Sequence, residues 1–134
     1  MSSARAAVLE LDHINLPVGD VSRSRGFYEK LLAPFGYRVN RDYGDAAAGL
    51  GDARYAVLAL VRSQEPVQPI HLAFRLRSRA EVERFFSAAV ALGARDNGGP
   101  GLRPQYHESY YAAFVLDPDG HNLEAVCHRE VGAA

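Results

Sequence analysis

The chain has 134 residues, a formal net charge of −1 and 48% hydrophobic residues, which suits one domain with a sizeable core. All but one of its 15 basic residues are arginine, but they are scattered among 16 acids rather than gathered in a stripe, so nucleic acid is excluded as the expected partner. Apolar runs fall far short of the roughly 18 residues of a membrane helix, the start lacks a charged-then-apolar export signal, and a lone Cys127 fits a reducing, cytoplasmic setting.

In chain order, Val8 to Val18 is predicted as a strand, with Ile14, Leu16 and Val18 alternating with His13, Asn15 and Pro17. Asp20 is placed as the N-cap of a helix carrying Val21, Phe27, Tyr28, Leu31 and Leu32 at helical spacing, stopped by Pro34 and Gly36. Tyr37 to Asp42 and Arg54 to Val61 read as further strands, and the Ala/Gly-rich Asp45 to Gly51 as a loop or weak strand. From Pro69 the pattern restarts. Ile70, Leu72, Phe74 and Leu76 alternate with His71, Ala73 and Arg75, and Ser78 with Glu81 forms a capping box ahead of Val82, Phe85, Phe86, Ala89 and Leu92. Asp96 to Glu108, rich in Gly and Pro, is the longest irregular stretch and is expected to rim a binding concavity. Tyr110 to Val126 reads as a hairpin closed by Asp117-Pro118-Asp119-Gly120, with Asp first, Pro where a type I turn takes it, and Gly where φ turns positive.

An offset of 58 residues lays His71 on His13, Leu72 on Ile14, Phe74 on Leu16, and Phe85-Phe86 on Phe27-Tyr28. The chain is therefore an internal repeat, one module over about 6–66 and a second over about 67–130, within a single domain 1–134. Each half would leave one sheet face uncovered, so the halves are expected to pair edge to edge around a shared concavity. Two histidines at equivalent points of the repeat, and Glu124 alone among apolar neighbours on the closing hairpin, make a two-imidazole, one-carboxylate set. Such a set holds a divalent ion on one side and leaves positions open for water or substrate. His13, His71 and Glu124 are the expected metal ligands. Asn15, on the His13 face, together with His107 and Tyr111, are the candidates for a catalytic role; Tyr110 and Tyr111 point to opposite faces, so at most one sees the cavity. Arg103 is expected as a salt-linked surface residue, and His121 and His128 as solvated.

Leu11 to Val18, Phe27-Tyr28, Ile70 to Phe74 and Phe114 to Glu124 together resemble the vicinal oxygen chelate superfamily of glyoxalase I, bleomycin and fosfomycin resistance proteins and extradiol dioxygenases. The resemblance implies an α+β fold of two βαβββ modules forming a cup-shaped, eight-stranded mixed sheet. It also implies a homodimer in which His13 of one chain can meet His71 and Glu124 of the other. A small oxygen-chelating substrate is implied, with a divalent metal (Fe, Mn, Zn, Ni or Co) acting as Lewis acid, in lyase, isomerase or dioxygenase chemistry. Glyoxalase I-like members carry a further glutamate where this chain has Ala59, so standard glyoxalase I activity is not implied. A metal-free protein that sequesters a small molecule, as the bleomycin resistance members do, is the alternative.

Overall fold

The computed structural model describes residues 7–129; the expected module limits at 6 and 130 lie outside them. In the first half, β1 (Ile14–Val18) leads into α1 (Val21–Leu32) and a short 3-10 turn at Ala33–Phe35, followed by β2 (Arg38–Asp42), β3 (Ala47–Gly51) and β4 (Ala56–Arg62). The second half repeats the order with β5 (His71–Arg75), α2 (Arg79–Ala91), two short strands β6 (Arg95–Asp96) and β7 (Gly101–Leu102), then β8 (Tyr111–Leu116) and β9 (Asn122–Cys127). The first sheet runs β1-β4-β3-β2 and the second β5-β9-β8-β6, with β7 also on β8. The caps fall where the sequence places them. The Asp20 carboxylate accepts from Arg23 N–H at 3.0 Å, and Ser78 Oγ from Glu81 N–H at 3.1 Å. No helix among the described residues is long and apolar enough to cross a membrane.

Two strand expectations in the first half change. The first strand begins at Ile14 rather than Val8, because β4 offers partners only from Leu58, opposite Ile14, onward; Val8, Leu9 and Leu11 stand exposed. The Ala/Gly stretch is a five-residue strand in the middle of its sheet, paired on both sides with a register shift in each pairing. A Cβ on Gly49 would come within 2.9 Å of the Ala56 Cβ and 3.1 Å of the Arg41 Cβ, so low strand propensity there is the condition for close packing between neighbours.

Each sheet lays one face on its helix. Leu16, Val18, Leu58 and Leu60 meet α1 residues Phe27, Tyr28 and Leu31, while Ala113, Val115, Leu123, Ala125 and Cys127 meet α2 residues Val82, Phe85 and Ala89, all in one continuous core. The halves are not zipped by a ladder between β1 and β5, the edge strands of the two sheets. They are clasped by the hairpin turn 117–121. His121, fully buried, accepts the Ile70 N–H on Nδ1 at 2.9 Å and donates from Nε2 to the Pro17 carbonyl at 2.7 Å. Solvent exposure expected for His121 is thus overturned, since its ring replaces water as the partner of two backbone groups. Asp117, also buried, accepts from the Tyr28 hydroxyl and from the His121 N–H; burial first, then the Asp117 charge, raises the Tyr28 phenol well above its ordinary pKa. Asp119 accepts from Gly19 N–H at 2.9 Å and Arg23 Nη2 at 2.8 Å.

Candidate functional site

The open face of the second sheet is built by strand alternation. β9 turns Leu123, Ala125 and Cys127 to the helix, which leaves Asn122, Glu124 and Val126 on the other side. Register then fixes Glu124's neighbours as Ala73 on β5 and Phe114 on β8. Glu124 is 2% exposed, so its carboxylate needs partners. Two are supplied. His71 Nε2 lies 2.8 Å from Oε1, and the Tyr110 phenol donates to Oε2. Burial, reinforced by the hydrogen bond to Glu124 and its charge, pushes the Tyr110 hydroxyl up to about 12.

Around Tyr110 lies an aromatic rim. Its ring meets His107 edge-on at 5.4 Å, His128 edge-on at 5.3 Å and Tyr106 at 4.8 Å. His107 Nδ1 accepts from the Ser109 N–H at 3.1 Å, which leaves Nε2–H to donate to His128 Nδ1 at 2.8 Å. Burial, with the Arg75 and His107 charges, holds His128 below the ordinary imidazole range against the opposing pull of Glu124. His128 is exposed, as expected, but it is tied to His107 rather than only to water.

The other expected site residues fall as follows. His13 precedes β1, is half-exposed and bonds Asp12 at 2.7 Å; it opens onto a cleft of about 300 Å³ lined also by Ile14, Phe35, Phe74 and Arg75, between the β1 and β5 edges. Neither His71 nor Glu124 lines that cleft, and the described residues of one chain gather no three His, Cys, Asp or Glu side chains into a metal-holding group. Asn15 is exposed and opposite Ala59. Tyr111 is on the helix side of β8, donating to Glu83 with Arg79 over its ring; Tyr110 is the tyrosine that meets Glu124. Parity could have shown this, since Tyr110 and Phe114 are four residues apart and Phe114 faces Glu124 across a turn the sequence announces.

The repeat is visible in register as well as in sequence. Asn15 pairs with Ala59 on β4, and its counterpart Ala73 pairs with Glu124 on β9. Ala59 is therefore the positional equivalent of Glu124, and the first half carries no carboxylate there. Residues 10–125 match the profile of the Glyoxalase/Bleomycin resistance protein/Dioxygenase superfamily. The chain belongs to that superfamily. Among curated proteins, the uncharacterized protein YqjT of Bacillus subtilis is 29% identical over 87% of this chain and 97% of its own length. Similar solved structures include a glyoxalase/bleomycin resistance protein from Albidiferax ferrireducens, with TM-score 0.73, 22% identity, and coverage of 89% of this chain and 98% of that one. A possible glyoxalase from Bacillus cereus has TM-score 0.68 and 27% identity, over 90% of this chain and 100% of its own. These neighbours share the mixed α+β architecture with two helices and two sheets.

Proposed function

We propose that this superfamily member is a metal-dependent enzyme of a small oxygen-chelating substrate, with His71 and Glu124 as a preassembled half of its metal centre and His13 of a second copy completing it. The observation that carries the reading is the pair itself. An imidazole nitrogen and a nearly inaccessible carboxylate oxygen meet at 2.8 Å on two hydrogen-bonded strands, and those atoms are the donors a divalent ion takes. Rigid strands hold them without help from an ion. Because one chain does not gather a third donor among its described residues, closing the set calls for a homodimer.

A divalent ion bound there supplies Lewis-acid stabilisation of an oxyanion on the substrate. The chain's own residues do the rest. Tyr110 orients the Glu124 carboxylate through its phenol, and Phe114 walls the site beside His71. Ala59 places no second carboxylate at the position equivalent to Glu124, so the site lacks the base that a glyoxalase I proton shuttle uses, which favours other lyase or isomerase chemistry, or oxygen insertion with iron. Cytoplasmic residence belongs to the same reading, supported by a single, buried, free Cys127.

Metal content after anaerobic, chelator-free purification tests the proposal. The wild type is expected to carry stoichiometric metal and Glu124→Gln to lose it; a variant with undiminished metal would remove Glu124 from the site. A second reading has its own observation. Both Glu124 oxygens already have partners within the chain, His71 and Tyr110, as a metal-free module that sequesters a small molecule would require. Wild-type protein that takes up no metal on titration would select it.

A further inference from the structure

Arg103, expected to be salt-linked, has no carboxylate within salt-bridge distance among the described residues, as is true of every described arginine except Arg23 and Arg25. Its guanidinium is held by backbone instead, with Nη1 donating to the Gly101 carbonyl at 2.8 Å and Nη2 to the Gly99 carbonyl at 2.9 Å. The Phe114 ring lies against it at 5.3 Å. The loop is shaped to allow this approach. A Cβ on Gly98, whose φ is +137°, would sit 3.3 Å from Nη2 and 3.2 Å from the Phe114 ring, and one on Gly101 would sit 3.2 Å from Nη1.

The location is specific. Phe114 is the residue opposite Glu124, and its ring is 6.1 Å from that of His71. The Arg103 N–H bonds the Tyr110 carbonyl at 2.7 Å, so the loop is tied to the residue that caps Glu124. One hydrogen on each terminal nitrogen is used by the loop, which leaves the second on each, and Nε–H, for something else. A planar cation with a fixed orientation and open donors is a bidentate oxyanion receptor.

We propose that Arg103 is the anion-binding and specificity-determining residue of the Glu124 face, and that the substrate carries a carboxylate or phosphate group beside its chelating oxygens. This rests on the reading of His71 and Glu124 as the reactive centre, but it can fail separately. The experiment is titration of metal-free protein with inorganic phosphate, followed through the backbone amide signals of Gly98, Gly99 and Gly101. Saturable shifts are expected in the wild type. Arg103→Ala should weaken the affinity about tenfold or more, and Arg103→Lys should fall between, since it keeps the charge without the fork. Arg84→Ala, which removes an exposed arginine of α2 on the opposite side of the sheet, should stay within about twofold of wild type. Shifts that do not saturate, or an unchanged affinity in Arg103→Ala, would overturn the assignment. If circular dichroism shows Arg103→Ala to be misfolded, the Lys variant decides, with wild-type affinity counting against the proposal. Metal content, measured separately on wild type and Glu124→Gln, reports on the metal centre and not on Arg103.

Discussion

At the scale of single residues, Glu124 shows how much chemistry one buried carboxylate organises. Its nearly complete burial was legible, because an acid in an apolar hairpin strand must be partnered. Which tyrosine would partner it follows from strand parity, and it is Tyr110 rather than Tyr111. Tyr110→Phe should leave Oε2 without its donor and lower stability by about 1–3 kcal/mol, a fall in Tm of roughly 3–10 °C. The pH dependence has a definite sign. The folded phenol is raised from the ordinary 10.0 to about 12, so its stabilisation is complete below the ordinary value and is lost as pH rises through the folded one. In metal-free protein, denaturation followed across that window should show a steeper loss in wild type than in Tyr110→Phe, because the raised phenols of Tyr28, Tyr37 and Tyr111 contribute to both. An equal decline in both would mean that Tyr110 is not the responsible group.

At the scale of elements, the sequence announces the turn Asp117-Pro118-Asp119-Gly120 but not what the turn holds. Gly120 takes φ +89° and its N–H returns to the Asp117 carbonyl at 2.9 Å, as the turn residues require. That His121 then enters the core could not be read locally, because its partners, Pro17 and Ile70, are 104 and 51 residues away. The same limit applies to β3, where small residues read as weak strand until Ala56 and Arg41 are seen against Gly49. His121→Ala should leave the Ile70 N–H and the Pro17 carbonyl unpaired beside a cavity, costing about 3 kcal/mol or more. Denaturant unfolding measures it, and a loss below about 1 kcal/mol would show the clasp to be replaceable by water.

At the scale of the whole molecule, the strand and helix order of each half was legible from periodicity, whereas one eight-stranded sheet was expected and the chain forms two separate sheets without the edge-to-edge closure. That closure depends on whether β1 and β5 find hydrogen-bond partners in their own chain or elsewhere, and a single chain leaves a cleft between them. Two defective variants can locate the missing donor. If each centre takes His13 from one copy and Glu124 from the other, mixing unfolded His13→Ala and Glu124→Gln chains and refolding them together should restore metal to about a quarter of the sites, by statistical pairing in a twofold dimer. Recovery of none would count against a centre shared between His13 of one copy and Glu124 of the other.

The hairpin clasp also sets an order in time. Gly19, Ser24 and Tyr28 bond partners 100, 95 and 89 residues further along, so the amino-terminal half emerges from the ribosome long before the groups that satisfy it exist. Contacts of such separation slow folding and leave early surfaces waiting. The first half is therefore a half-finished structure during synthesis, and its completion is triggered by the same late segment that delivers Glu124.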